Sequence, residues 1–235
     1  MAQKNSLTIE QYISLCDFNG TEYESKKGKD YINALSNIFP INNINDKPFT
    51  VEDILQQPTL DSFCFSGKND FKLICQLKAT PMKITLNNVR INEKIIPFNF
   101  TSKENYEIFT RSLGVAYMLT CIINGKEHII KFGQTRTPFV KRLGSYNCGV
   151  VNNWRTASTS NIKMLQSMVT TRLVFNLYLY DCDEPVYYVW HGVRSVDFAS
   201  SKSLAVEDIM VKEFIKQFHC KPLVNVQADA TSVKD

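Results

Sequence analysis

The sequence has few of the features that mark specialised classes of protein. Its seven cysteines and three histidines form no C-x-x-C pair and no zinc-ligand pattern, so reduced thiols are expected. No apolar run approaches the roughly 18 residues of a membrane-spanning helix, and the first residues lack the apolar core of a signal peptide. P-loop and G-x-S-x-G motifs are also missing. These absences predict a cytoplasmic protein without membrane contact.

Acidic residues are missing from a long internal stretch. None occurs between Glu127 and Asp181. Residues 1–110 hold twelve Lys or Arg against thirteen Asp or Glu, whereas residues 111–235 hold fifteen against ten. A positive surface suits a polyanion, because each neutralised phosphate releases condensed counterions. Charge alone leaves two interpretations open, a nucleic-acid surface and a solvated basic face without a ligand. The basic residues of the stretch are Lys131, Arg136, Lys141, Arg142, Arg155, Lys163 and Arg172.

The composition is otherwise that of a globular protein. Hydrophobic residues make up 44% and charged residues 21% of the chain, which is enough apolar material for a core. In the first 110 residues we predict short helices within residues 8–39, a helix capped by Thr50 and Asp53, and then strands. A further helix is predicted at residues 104–114, leading into the second half.

The elements after Gly114 follow a clear order. Asn124-Gly125 separates two apolar runs and is the strongest short-range signal for a β-hairpin. Two helices are predicted next, the first starting at Pro138, followed by a strand at 172–182 and a helix at 203–218. The order β-β-α-α-β-α predicts an α+β fold. The apolar stripe of the last helix is Val206, Met210, Phe214 and Phe218.

Four short motifs on these elements resemble the GIY-YIG nuclease family. They are G-V-A-Y on the first strand, K-F-G-Q-T on the second, an arginine on the next helix and a glutamate on the last. The resemblance covers residues 111–226. It implies a ββααβα nuclease core at 111–235 and an N-terminal α/β lobe at 1–110 for DNA recognition or dimerisation. Lys131 stands where the second motif has tyrosine, as in the restriction-endonuclease-like branch of the family.

The resemblance assigns catalytic roles to five residues. Tyr117 matches the tyrosine that deprotonates or orients the attacking water, and Lys131 would stabilise its phenolate. Arg142 would stabilise the pentacovalent phosphate, while Tyr146, one helical turn onward, would contact the same phosphate or compete as the base. Glu207 matches the metal-binding glutamate and would hold Mg²⁺, for which Mn²⁺ can substitute.

The implied function is a Mg²⁺-dependent endonuclease acting on double-stranded DNA, of the sequence-specific type II restriction class. A homodimer would supply one site for each strand, and a cognate DNA methyltransferase would be its functional partner. Three alternatives stay open: an inactive DNA-binding protein with a nuclease fold, a homing or repair-type endonuclease, and a structural protein whose hairpin matches by chance. The residues assigned to DNA phosphate binding are Gln134, Arg136, Lys141, Arg155, Lys163 and Asn225.

Overall fold

The structure is a computed structural model. It describes residues 49–80, 84–85, 90–91, 94–147, 159–182, 184–187, 189–191, 193–195, 198–199 and 202–225. The helices predicted within residues 8–39 lie outside these ranges, and so does Arg155.

Five α-helices and eleven strands lie within the described ranges. The helices are α1 Val51–Leu55, α2 Lys103–Arg111, α3 Phe139–Asn147, α4 Thr159–Thr171 and α5 Lys202–Phe218. The long strands are β1 Lys72–Ala79, β4 Ile95–Phe98, β5 Val115–Ile123, β6 Lys126–Thr135 and β7 Phe175–Asp181. The short strands are β2 Ile84–Thr85, β3 Arg90–Ile91, β8 Pro185–Val186, β9 Val189–Trp190, β10 Val193–Arg194 and β11 Phe198–Ala199.

The five long strands form one antiparallel sheet in the order β4-β1-β7-β5-β6. β1 and β4 come from residues 72–98 and extend the sheet on the β7 side, so strands from both sides of residue 110 share one sheet. The division into a lobe at 1–110 and a core at 111–235 stays a prediction. β6 is an edge strand of this sheet.

Apolar residues cover both faces of the sheet, as a mixed α+β sheet with helices on each side requires. One face packs against α2, α3 and α4 through residues such as Phe109, Leu143 and Met168. The other packs against α5, through Met210 and Phe214. Two buried layers therefore hold the sheet between helices and fix the positions of the buried side chains on both of its faces.

The predicted order β-β-α-α-β-α is confirmed from β5 to α5, with four short strands inserted before α5. The predicted capping box is present at α1, where Thr50 accepts from the Asp53 backbone and Asp53 accepts from the Thr50 backbone. Every residue of the predicted stripe on α5 packs in the second apolar layer. No helix among the described residues is long and apolar enough to cross a membrane.

Candidate active site

The hairpin of β5 and β6 turns at Asn124-Gly125, as predicted. Both residues have positive φ angles, 51° for Asn124 and 75° for Gly125. This is the backbone that a two-residue hairpin turn needs, and asparagine and glycine adopt it most readily. The turn aligns Ile123 with Lys126 and sets the register of the strands up to Thr120 opposite Ile129.

A β-bulge then changes the register at Ile130. Thr120 pairs with Ile129, but the next residue, Leu119, pairs with Lys131, so Ile130 is the extra residue. Because side chains alternate between faces, a one-residue shift reverses the face of all that follows. Without the bulge, Lys131 would lie on the face opposite Tyr117. With it, Tyr117 pairs with Gly133, and Lys131 lies on the same face two residues away.

Gly133 makes room for the ring of Tyr117. A β-carbon at this position would fall on the Tyr117 ring and its hydroxyl. Phe139, the first residue of α3, packs edge-on against the same ring with centroids 5.1 Å apart. Tyr117 is 1% exposed, so its ring is enclosed by these neighbours and has no free space beside it. In the sequence, the feature that pointed to this packing was Gly133, the glycine of the second motif.

We expect Gly133→Ala to displace the Tyr117 ring. Overpacking of this kind costs about 1–3 kcal/mol of stability, and a shift of roughly 1 Å in a catalytic group costs about 10²-fold in rate. Gly144→Ala is the matched control, because it adds the same methyl group on α3 where nothing lies within 4 Å. Thermal unfolding and DNA cleavage of both variants test this. Equal behaviour of the two would show that Gly133 has no such role.

Helix α3 brings Arg142 and Tyr146 to the Tyr117 hydroxyl. The two residues are four apart and therefore share one helix face. The Tyr117 and Tyr146 hydroxyl oxygens are 2.7 Å apart, and Arg142 Nε donates to the Tyr117 oxygen at 3.3 Å. The Arg142 guanidinium carbon also lies 4.8 Å from the centre of the Tyr146 ring. The three groups form one hydrogen-bonded cluster, in which both tyrosines are buried and Arg142 is half-buried.

The cluster distinguishes the two tyrosines as bases. Burial raises the pKa of Tyr117 above its ordinary value, with a smaller contribution from Glu207, although the Arg142 charge and the hydrogen bonds with Tyr146 and Arg142 lower it in part. Burial raises the pKa of Tyr146 well above its ordinary value and Tyr117 raises it further, while the Arg142 charge and hydrogen bond lower it in part. A phenolate on Tyr117 would accept from both neighbours, which favours its charged form. Because Arg142 Nε donates to the Tyr117 oxygen, and either hydroxyl can donate in the bond between the two tyrosines, we take Tyr117 as the candidate base.

In the structure Lys131 contacts a backbone carbonyl, and the role that the resemblance assigns to it at the Tyr117 phenolate stays a prediction. The cation bonded to the Tyr117 oxygen is Arg142, while Lys131 Nζ donates to the backbone carbonyl of Val224 at 3.2 Å. Lys131 lies two residues along β6 from the pairing partner of Tyr117, whereas α3 covers the hydroxyl directly. Lys131 is 5% exposed. Burial lowers its pKa to about 8, helped by Arg142 and opposed by Glu207.

Asn225 ties the chain after α5 to the edge strand. Its side-chain oxygen accepts from the Phe132 backbone N–H and its amide donates to the Phe132 carbonyl, both at 2.9 Å. The Val224 N–H also donates to the Ile130 carbonyl at 3.1 Å. These bonds pair residues 224–225 with β6 and hold the Val224 carbonyl beside Lys131. The structure thus shows Asn225 supporting the site, and its predicted contact with DNA phosphate stays a prediction.

Glu207 lies on α5 and is electrostatically coupled to the cluster. Burial raises the pKa of its carboxyl, the Lys131 and Arg142 cations lower it, and Asp208 raises it. Among the described residues no group of three or more His, Cys, Asp or Glu could hold a metal ion. Mg²⁺ needs no such group, since it often takes one or two carboxylates and completes its shell with water and substrate phosphate. The donor set at Glu207 fits a single-carboxylate magnesium site.

The structure does not bring the other predicted residues into the cluster. Gln134 pairs with Ala116 and so lies on the opposite face of the sheet from Tyr117. Arg136 and Lys141 are exposed, after β6 and on α3, and Lys163 is half-buried on α4. Their contact with phosphate stays a prediction.

Lys131 should make stability depend on pH in a defined window. Its pKa is about 8 in the folded chain against an ordinary 10.5, so the unfolded chain holds the proton more tightly between these values. Raising the pH through this window removes the penalty of burying the charge and stabilises the fold. Relative to Lys131→Met, the unfolding free energy of the unaltered chain should rise by roughly 2–3 kcal/mol from pH 7 to 10.5.

Denaturant titrations of both proteins in EDTA, at half-unit pH steps, measure this difference. Groups other than Lys131 titrate in both proteins and cancel when the two are subtracted. The difference in unfolding free energy between the two proteins should not change with pH below about pH 7, because Lys131 is charged there in both the folded and unfolded chains. A difference that stays flat up to pH 10.5 would show that Lys131 is not a buried, destabilised cation.

Comparisons with known proteins give limited information on this chain. No family profile matches it, and no curated protein matches it. A solved structure, restriction endonuclease HPY188I in complex with product DNA, is 26% identical with a TM-score of 0.48; the match covers 79% of this chain and 96% of that chain. This TM-score is too low to establish a common fold. The function is therefore inferred from the side chains described above.

Proposed function

We propose that this chain is a Mg²⁺-dependent endonuclease that hydrolyses phosphodiester bonds of double-stranded DNA, as a type II restriction enzyme with a GIY-YIG-like core. One observation carries the proposal: Tyr117, Arg142 and Tyr146 form a hydrogen-bonded cluster, coupled electrostatically to Lys131 and Glu207. It combines a candidate base, two cations and a candidate metal ligand, the parts that hydrolysis of a phosphate diester needs.

In the proposed reaction, Tyr117 as phenolate takes a proton from the attacking water. Tyr146 and Arg142 stabilise that phenolate before the reaction, because both donate to its oxygen. As a new P–O bond forms, negative charge accumulates on the phosphoryl oxygens. The Arg142 guanidinium and a charged Lys131 then stabilise this charge in a site from which water is largely excluded. When bound, Mg²⁺ held by Glu207 would neutralise the leaving 3′ oxygen.

Features of the chain outside the cluster support DNA as the substrate. The stretch without acidic residues supplies exposed positive charge at Arg136 and Lys141, which suits the DNA backbone. A single cluster on one chain serves one strand, so we propose a homodimer for a double-strand cut. A cytoplasmic enzyme of this kind needs a methyltransferase to protect its own host DNA.

The inactive DNA-binding alternative is less well supported. A nuclease fold that had lost its activity would not need to keep a buried tyrosine, arginine and lysine together. Burying such groups is costly unless they are paired. The cluster is therefore better explained by catalysis than by phosphate binding alone.

Plasmid cleavage tests the proposed function directly. Purified protein should convert supercoiled plasmid into discrete linear fragments in Mg²⁺ or Mn²⁺, and leave it intact in EDTA. Fragment ends that repeat one short sequence would support the restriction type. Tight DNA binding without cleavage in any divalent cation would instead identify an inactive DNA-binding protein. Nicking of one strand only would contradict the dimer.

A further inference from the structure

A segment between α1 and β1 joins the edge strand β6 to helix α5. We call this segment, residues 57–71, the strap. Its Leu60 N–H donates to the Glu127 carbonyl at 2.7 Å, and the Ile129 N–H donates to its Pro58 carbonyl at 3.0 Å. These bonds pair the strap with the outer edge of β6 in the manner of a short additional strand.

Phe63 of the strap completes a cluster of three aromatic rings, one from each of the three elements. Phe63 is 0% exposed. Its ring centre lies 5.8 Å from that of Phe132 on β6 and 5.8 Å from that of Phe214 on α5. The centres of Phe132 and Phe214 are 5.9 Å apart. All three distances suit aromatic pairs, so the three rings together set the separation of α5 and β6.

Polar bonds hold Phe63 at this position. Lys68 Nζ donates to the Leu60 carbonyl at 2.7 Å and to the Phe63 carbonyl at 2.6 Å, which closes the turn of the strap. The N–H of Cys64 donates to the side-chain oxygen of Gln217 on α5 at 3.0 Å. The backbone around Phe63 is therefore attached both to the turn of the strap and to α5.

The two elements that the strap joins carry Lys131 and Glu207. Phe132 directly follows Lys131 on β6. Phe214 lies two helical turns after Glu207 on α5 and therefore on the same face of the helix. The Lys131 ammonium and the Glu207 carboxyl are coupled electrostatically, and such coupling weakens with distance. The separation of β6 and α5 therefore determines how strongly these two groups act on each other.

We propose that Phe63 is a positioning residue of the endonuclease, which holds α5 against β6 so that Glu207 and Lys131 lie at the separation that hydrolysis requires. Phe63 acts through the rings of Phe132 and Phe214. Leucine in its place would leave a cavity, into which the neighbouring elements relax only in part. A shift of roughly 1 Å in a catalytic group costs about 10²-fold in rate. This inference rests on the proposed endonuclease function and makes part of the first 110 residues necessary for it.

Phe63→Leu tests the inference through three measurements, made at a temperature where the variant is folded. Its single-turnover cleavage rate at saturating DNA should fall by about 10- to 100-fold. Its affinity for Mn²⁺, followed by electron paramagnetic resonance in the presence of DNA, should fall because Glu207 is displaced. Its affinity for DNA in Ca²⁺ should stay unchanged. A loss of stability alone would alter none of the three in a folded protein.

Phe49→Leu is the matched control. Phe49 is 2% exposed and lies in the other apolar layer, with its ring 6.2 Å from that of Phe175. Phe175 pairs with Cys121, at the end of β5 away from Tyr117. The same atoms are removed from an equally buried position, so the unfolding free energy should fall by a similar amount. The cleavage rate and the Mn²⁺ affinity should equal those of the unaltered protein.

Lys68→Met tests the strap without making a cavity in the core. Lys68 is half-buried, and the substitution removes both of its bonds within the strap. The cleavage rate and the Mn²⁺ affinity should fall by smaller factors than in Phe63→Leu, because the three rings remain. Lys103→Met, at an exposed position on α2, should match the unaltered protein.

The outcomes separate this inference from the function beneath it. If the unaltered protein does not cut DNA, the endonuclease is refuted and the inference with it. If it cuts and Phe63→Leu keeps the same rate and Mn²⁺ affinity, only the positioning role is refuted. Equal losses in Phe63→Leu and Phe49→Leu would also refute that role, since they would reflect a general loosening of the core. If Phe63→Leu does not fold, an unchanged rate and Mn²⁺ affinity in Lys68→Met would refute it.

Discussion

Tyr117→Phe should reduce DNA cleavage by about 10²–10⁴-fold, the range for removal of a general base. The substitution keeps the ring that packs on Phe139 and removes only the hydroxyl. It also leaves the Arg142 and Tyr146 donors without their acceptor in a buried site, which costs about 1–3 kcal/mol of stability. Single-turnover cleavage and denaturant unfolding measure the two effects separately. DNA affinity in Ca²⁺ should change little.

Two further variants show whether the loss of cleavage is specific to the Tyr117 hydroxyl. Tyr106→Phe removes the hydroxyl of a tyrosine that is 52% exposed, and its cleavage rate should equal that of the unaltered protein. Tyr146→Phe should lose less cleavage activity than Tyr117→Phe, because the hydrogen bond from Arg142 to Tyr117 remains. If Tyr146→Phe is the slower of the two, the assignment of base and donor is reversed.

Glu207→Gln should abolish metal-dependent cleavage, with a loss of about 10²-fold or more. The amide is nearly the same size as the carboxylate, so the helix keeps its packing while the hard anionic ligand is lost. A metal that neutralises a leaving oxygen contributes several kcal/mol, and each 1.36 kcal/mol corresponds to about tenfold in rate. Mn²⁺ binding, followed by electron paramagnetic resonance in the presence of DNA, should weaken in parallel.

Glu213→Gln is the matched control for this prediction. Glu213 lies on the same helix, six residues after Glu207, and pairs with Lys216 at 3.5 Å. Its cleavage and Mn²⁺ binding should match those of the unaltered protein. If Glu207→Gln binds Mn²⁺ normally, the metal ligand is another residue. If Mn²⁺ binding is lost while cleavage persists, the metal has no part in the reaction.

The hairpin and the helices of the second half could be read from sequence because their signals are local. Asn124-Gly125 specifies its own turn, and the stripe from Val206 to Phe218 follows the period of a helix. The apolar residues of β7 follow a local pattern too, since Phe175, Leu177 and Leu179 alternate along the strand and pack in the same layer. None of these patterns needs contact with a distant part of the chain.

The partner of Tyr117 could not be read in this way. If the two strands paired outward from the turn without a bulge, Phe132 would lie opposite Tyr117. Lys131 would then lie on the other face of the sheet. The shift at Ile130 restores Lys131 to the face of Tyr117, but no turn residue or repeat marks its position. The cation that donates to the Tyr117 hydroxyl also comes from a separate element, since Arg142 reaches it from α3.

The sequence alone determined which residues are candidates for chemistry, because tyrosine, lysine, arginine and glutamate stand out at the positions of recognisable motifs on predictable elements. Tertiary structure decided what each of them touches. The bulge selects the face of Lys131, the packing of α3 places Arg142 on Tyr117, and the tie from Asn225 to Phe132 holds the Val224 carbonyl against Lys131. Such contacts join residues far apart in the chain, and their energies depend on burial and distance, which no local pattern contains.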